Sequence, residues 1–172
     1  SSGSQLPKLR EAVRSLRLAD AIVNDANADP AHKRIVKATG EVVKKGGAIA
    51  VLQSASTHYV SAVESSSSPF NIRLLAQQIQ NECVWATDRS NQDKFGDVDQ
   101  NSLGYVSSLV SRVNDLLQIS EVMDVIDPLP GVASVVEVIE EWLNDPSGHV
   151  LRISLMSLAF VNHLREIVVN II

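Results

Sequence analysis

Residues 102–119 read SLGYVSSLVSRVNDLLQI, and their apolar members Leu103, Val106, Val110, Val113 and Leu117 return every three or four positions. That spacing places all five on one side of an α-helix, whereas a half-buried strand would alternate with period two. The rhythm continues in both directions, from Leu6 to Ile172, with Pro or Gly breaking it at intervals. It predicts an all-α chain, folded as a single-domain antiparallel bundle of five to six amphipathic helices.

Toward the C-terminus, residues 120–127 extend this helix and Pro128-Leu129-Pro130-Gly131 ends it, because proline supplies no amide proton to the helical ladder. Residues 132–143 predict the next helix, with Val132, Val135, Ile139 and Trp142 inward and Glu137, Glu140 and Glu141 outward. A turn at 144–148, Asn-Asp-Pro-Ser-Gly, leads to the last helix, 149–172. Its stripe of Ile153, Met156, Phe160, Leu164, Ile167 and Ile171 is flanked by further apolar residues. A helix apolar around most of its circumference has to be surrounded by others, so the C-terminal helix is predicted to be central. It has the length of a bilayer span, but Arg152, His163, Arg165 and Glu166 interrupt it and favour a buried helix.

Toward the N-terminus, residues 88–100 are polar and read as a loop. Residues 71–87 predict a helix with the stripe Ile72, Leu75, Ile79, Cys83 and Ala86, from which Trp85 departs. Ser65-Ser66-Ser67-Ser68-Pro69 is a linker, since serines compete for helical hydrogen bonds and proline disfavours helix at the residue before it. Asp29-Pro30 has the form of a cap and a first helical residue. The segment 30–64 keeps Ile35, Ala38, Val42, Gly46, Ile49, Leu52, Tyr59 and Val63 in one phase across Gly46-Gly47, favouring one long, bent helix over two helices broken at that pair. The two glycines cost that helix about 1 kcal/mol each relative to alanine. Residues 7–26 predict the first helix, with Leu9, Val13, Leu16 and Val23 on one face. Residues 1–5 read as a disordered tag remnant, leaving 6–172 as the domain.

Hydrophobic residues are 45% of the 172 and aromatic ones only 4%, so the core must be aliphatic. Chains of this length bury roughly two thirds of their unfolded surface, enough to dispense with disulfides or metals. The lone cysteine, Cys83, and the absence of any Asn-x-Ser/Thr sequon favour a cytoplasmic protein over a secreted framework. The net charge of -5 is uneven: residues 1–50 sum to +4 and residues 51–172 to -9. In composition the chain resembles the Ala/Val/Ser/Leu-rich rod bundles of the vinculin and talin class, without a motif that aligns to them.

No catalytic signature lies on this framework. There is no nucleophile elbow, P-loop or dinucleotide-binding glycine pattern, and His32, His58, His149 and His163 include no pair spaced i, i+4. Asp97, Asp99 and Asn101 have the opening spacing of a calcium loop, but Ser102 replaces its glycine and Ser108 its bidentate glutamate. Helix capping accounts for them better. No cofactor or metal is expected, and Cys83 reads as a small buried hydrophobe.

Two features point outward. Trp85, opposed to its helix's stripe, is either an interface anchor or, if its helix is sandwiched, packed on a second neighbour. Lys33, Arg34, Lys37, Lys44 and Lys45 form the densest basic group, which reads first as a solvated helix face and otherwise as a site for phosphate or lipid headgroups, while the missing aromatic platforms and the acidic chain argue against nucleic acid. The reading that follows is a non-enzymatic interaction module whose grooves take helices of a protein partner. The alternatives are an apolar-ligand carrier and a peripheral binder of anionic membranes.

Overall fold

The computed structural model describes residues 5–127, 131, 135–148 and 150. The described residues are helical, with three isolated antiparallel bridges and no strands, in keeping with the all-α class. The chain forms two compact units, Ser1–Asn114 and Asp115–Ile172.

In the first unit α1, Gln5–Asn24, is the organising helix. Gln5 belongs to it rather than to a disordered tag: its Nε2 donates to the Tyr105 carbonyl and to Ser108 Oγ, both at 2.9 Å. The helix buries two faces. Ala12 and Leu16 join a core with Leu75, Ala76, Ile79, Cys83, Val106 and Val110, while Leu18 and Ile22 join a second with Ala28, Ile35, Ala55 and Val63. Because the second core takes Leu18 and Ile22, the predicted stripe is rotated at its end, and Val23 is 65% exposed.

Asp29 caps the short α2, Pro30–Lys33, by accepting from the Ala31 amide at 2.7 Å. The long helix expected over 30–64 does not form. The chain folds back at residues 35–43, where Val36 bridges Val42 and the Val43 amide donates to the Ile35 carbonyl at 3.0 Å. Gly40 has φ +103° and Gly46 φ +70°, left-handed conformations that a helix does not contain and that glycine adopts without a Cβ penalty. Helix resumes only as α3, Ile49–His58, followed by α4, Val60–Glu64. The serine linker is non-helical, as its composition predicts.

A 3-10 turn, Ile72–Leu74, opens α5, Leu75–Asn81. This helix also stops short of its predicted end at 87, because the β-branched and aromatic run Val84-Trp85 is taken into backbone pairing with the loop 88–99. Leu75, Ile79 and Cys83 are buried as the stripe requires, but Ala86 is exposed. Asp99 caps α6, Gln100–Leu117, accepting from the Asn101 amide at 3.1 Å and Ser102 Oγ at 2.5 Å. Of the polar residues at 97–101, Asp99 thus serves a helix start, whereas Asp97 pairs with Lys45.

In the second unit α7, Ser120–Ile126, is a separate helix rather than an extension of α6; Ile119 before it is extended. It buries Val122 and Met123. α8, Val135–Leu143, sets Glu137, Glu140 and Glu141 outward as predicted, but Trp142 is 36% exposed instead of inward. The turn at 144–148 is present, Asp145 accepting from the Ser147 amide at 2.9 Å. The predicted final helix, 149–172, lies outside the described residues. Among the described residues no helix is long and apolar enough to cross a membrane.

Candidate functional site

The non-helical part of the first unit builds an exposed ribbon. The Trp85 amide donates to the Asp97 carbonyl at 3.0 Å and the Gly96 amide to the Trp85 carbonyl at 2.9 Å, with Val84 bridged to Val98. On its other side the same loop pairs with 46–49: Phe95 N to Gly47 O at 3.0 Å, and Ile49 N to Asp93 O at 2.9 Å. Gly96 is required here, because a Cβ would stand 2.7 Å from the Thr87 carbonyl oxygen and 2.8 Å from Trp85 Cβ. The Trp85 backbone is therefore fixed by its pairing with Gly96 and Asp97, and the residue is 51% exposed. Its exposure agrees with the sequence reading, but its cause is a ribbon and not the outer face of a helix.

Val98 lies at the junction of two clefts. One, of about 450 Å³, is bounded by Trp85, Thr87, Asp88, Arg89, Gly96 and Asp97. The other, of about 390 Å³, runs between α5 and α6, with Leu103 and Val110 as apolar walls and Gln77, Gln80 and Asn81 along one edge. An exposed tryptophan beside an apolar groove edged by neutral amides suits a polypeptide partner, since amides satisfy backbone groups without imposing a charge.

The predicted basic group is divided. Lys33 and Arg34 are exposed at the end of α2, and Lys37 is exposed in the fold-back, where its amide donates to the Glu41 carbonyl at 2.9 Å. Lys45 pairs with Asp97 at 2.6 Å and fastens the ribbon. Lys44 turns inward, its side chain only 14% exposed, and pairs with the fully buried carboxylate of Glu82.

Glu82 centres a polar network that sequence reasoning missed. Its Oε1 accepts from Ser15 Oγ at 2.6 Å and Gln78 Nε2 at 2.8 Å, and its carbonyl accepts from Lys8 Nζ at 2.9 Å. Gln78 also grips the fold-back, accepting from the Val42 amide at 2.9 Å and donating to the Val42 carbonyl at 3.1 Å. A buried carboxylate costs several kcal/mol unless it is paired, and here Lys44 pairs with it while Ser15 and Gln78 hydrogen-bond its Oε1. The available signal was Gln78 and Glu82 at i, i+4, a polar pair beside the apolar stripe.

A second cluster joins residues distant in sequence. The His32 and His58 rings are 5.9 Å apart, His58 packs edge-on to Tyr59 at 4.6 Å, and buried His32 shares a 3.2 Å hydrogen bond with Ser54. Tyr59 donates to Asp25 at 2.9 Å. Burial pushes the Tyr59 hydroxyl up, and the Asn27 amide and that hydroxyl hold Asp25 below the usual carboxylate range. Burial likewise raises the Cys83 thiol, which donates to the Ile79 carbonyl at 3.3 Å and is thereby kept unreactive. Among the described residues no group of three or more His, Cys, Asp and Glu is placed to hold a metal ion.

Compared with protein-family models, curated proteins and solved structures, the chain matches none of them.

Proposed function

We propose that this protein is a non-enzymatic interaction module whose docking surface is the Trp85 ribbon and the adjoining groove between α5 and α6. The observation that carries the reading is the half-exposed Trp85, whose backbone is held by hydrogen bonds to Asp97 and Gly96 and whose cleft shares Val98 with an apolar groove. Fixing the backbone beneath an aromatic side chain before binding lowers the entropy cost of association, and tryptophan is enriched among the residues that dominate interface energies.

The reading carries the architecture and setting that the sequence suggests. The apolar pattern of residues 149–172 supports an antiparallel bundle of five to six helices with the last at its centre, and the lone cysteine supports a cytoplasmic setting. The divided basic group gives less support to a membrane-binding face, because Lys44 and Lys45 are engaged within the molecule.

The test is affinity capture with quantitative mass spectrometry, comparing the wild type with Trp85→Ala, Gly96→Ala and Lys37→Glu. Trp85→Ala removes the anchor, and Gly96→Ala keeps the indole but forces its support to move. Partners lost with both and kept by Lys37→Glu are the expected result. Partners retained by both ribbon variants would sink the proposal. Lys44→Glu is unsuitable as a surface variant, since it would set two carboxylates against each other in the core.

A further inference from the structure

We propose that the cleft between α1 and the α3–α4 pair binds a small zwitterion with the size and charge pattern of an aliphatic amino acid. The site is separate from the Trp85 surface and independent of its role. The cleft has a volume of about 180 Å³. Cavities of about 150 Å³ accommodate a ligand the size of benzene, so one small molecule of this class fits.

The walls follow from helical spacing. Glu11, Arg14, Ser15 and Leu18 line the cleft from one face of α1, and Leu52 and Ser56, one turn apart, line it from α3. Val63 of α4 and Lys44 complete it. Leu18 and Val63 are buried and, with Leu52, form an apolar wall for a branched side chain. Ser56, Arg14 and Lys44 offer donors to a carboxylate, and Glu11 is the acceptor for an ammonium.

Both cations keep donors to spare. An ammonium has three, of which Lys44 directs one to Glu82, and a guanidinium has five, of which Arg14 directs one to Glu64. Glu82, locked by Ser15 and Gln78 behind the wall, fixes where the Lys44 charge stands. The charges around the cleft balance: Lys8, Arg14 and Lys44 face Glu11, Glu64 and Glu82. A simple anion could take the spare donors of Arg14 and Lys44 but would compete for them with the Glu11 carboxylate beside them, as a simple cation at Glu11 would compete with the two cations. A ligand that is neutral overall but separates its own charges meets both signs without that competition.

The experiment is an NMR titration of the intact, methyl-labelled chain with L-valine, isovalerate and isobutylamine. The last two are the same branched skeleton without the ammonium and without the carboxylate. Saturable shifts of the Leu52 and Val63 methyls with valine are expected, with binding weakened about tenfold or more for either analogue and for Arg14→Gln or Glu11→Gln. Both substitutions are on exposed side chains, and an unchanged methyl spectrum without ligand establishes that each variant is folded. Absence of saturable shifts with valine, equal binding of an analogue, or full affinity in the folded variants would each overturn the proposal. None of these outcomes bears on capture through Trp85.

Discussion

Helix α1 and the segment 34–48 have similar apolar spacing in the sequence, yet one is an unbroken helix of 20 residues and the other contains no helical turn. Between Gln5 and Asn24 nothing competes with helical hydrogen bonding. Proline stands only in the first turn, and both flanks of the helix find apolar partners. Between 34 and 48 the backbone has better offers. Gly40 and Gly46 admit left-handed geometry, the Gln78 amide takes both polar groups of Val42, and Gly46 and Gly47 pair with Phe95. Periodicity reports where apolar side chains recur; whether a helix follows depends on who else can satisfy the backbone.

The strongest way to break this comparison is to remove the anchor that draws 34–48 inward. Glu82→Ala leaves the Lys44 ammonium, 14% exposed, without its carboxylate, and takes the acceptor from Ser15 and Gln78. Breaking one side of a buried ion pair costs about 3–5 kcal/mol, and the lower end applies because Lys44 can reach water. Urea unfolding of the whole chain should show a loss of about 3 kcal/mol. A loss under about 1 kcal/mol, as expected for an ordinary exposed pair, would mean the network does not hold the segment.

This dependence explains what was legible. α6 could be read from Leu103, Val106 and Val110, and its cap from Asp99, because cap and stripe are local features. The fold-back was hidden because its hydrogen bonds come from Gln78 and Phe95, far along the chain, and because Gly46-Gly47 as text is equally a helix kink or a left-handed turn. Trp85 was recognised as exposed through the wrong element. Its departure from the Leu75–Ile79–Cys83 stripe was real, but it reflects the end of α5 at Asn81. Glu82 escaped notice because a carboxylate on an amphipathic helix ordinarily marks the solvent side. The clefts depend on contacts between distant segments, and no sequence signal places those.

A smaller effect sharpens the contrast by making one substitution in both kinds of backbone. Alanine at Gly46 meets no atom within 4 Å, so its cost comes from φ +70° alone, about 1–2 kcal/mol. Alanine at Gly104, inside α6 and also clear of neighbours, should stabilise by about 0.5–1 kcal/mol through helix propensity. The two midpoints in urea should therefore move in opposite directions. If Gly46→Ala were neutral, the segment would have a helical alternative close in free energy, and the distinction from α1 would be one of degree.

The smallest effect separates the ribbon from the helices by acid. Asp88, Asp97 and Asp99 all lie below the usual carboxylate range: Ser90 donates to the first, Lys45 to the second and Ser102 to the third. A group whose pKa is lower folded than unfolded binds its proton first in the unfolded chain, so its stabilisation is present above the unfolded value of 3.8 and is lost as pH falls through the folded one. All three carboxylates lie in the segment that supports Trp85 or at the cap beside it. On acidification below that value, the Trp85 indole resonance should shift before the far-UV signal of the helices declines. Asp97→Asn should move the onset for the indole to higher pH, because Lys45 loses its charged partner and the ribbon starts from a weaker state. Coincident transitions in the wild type would show that ribbon and helices unfold as one cooperative unit, and that the difference between them ends at local geometry.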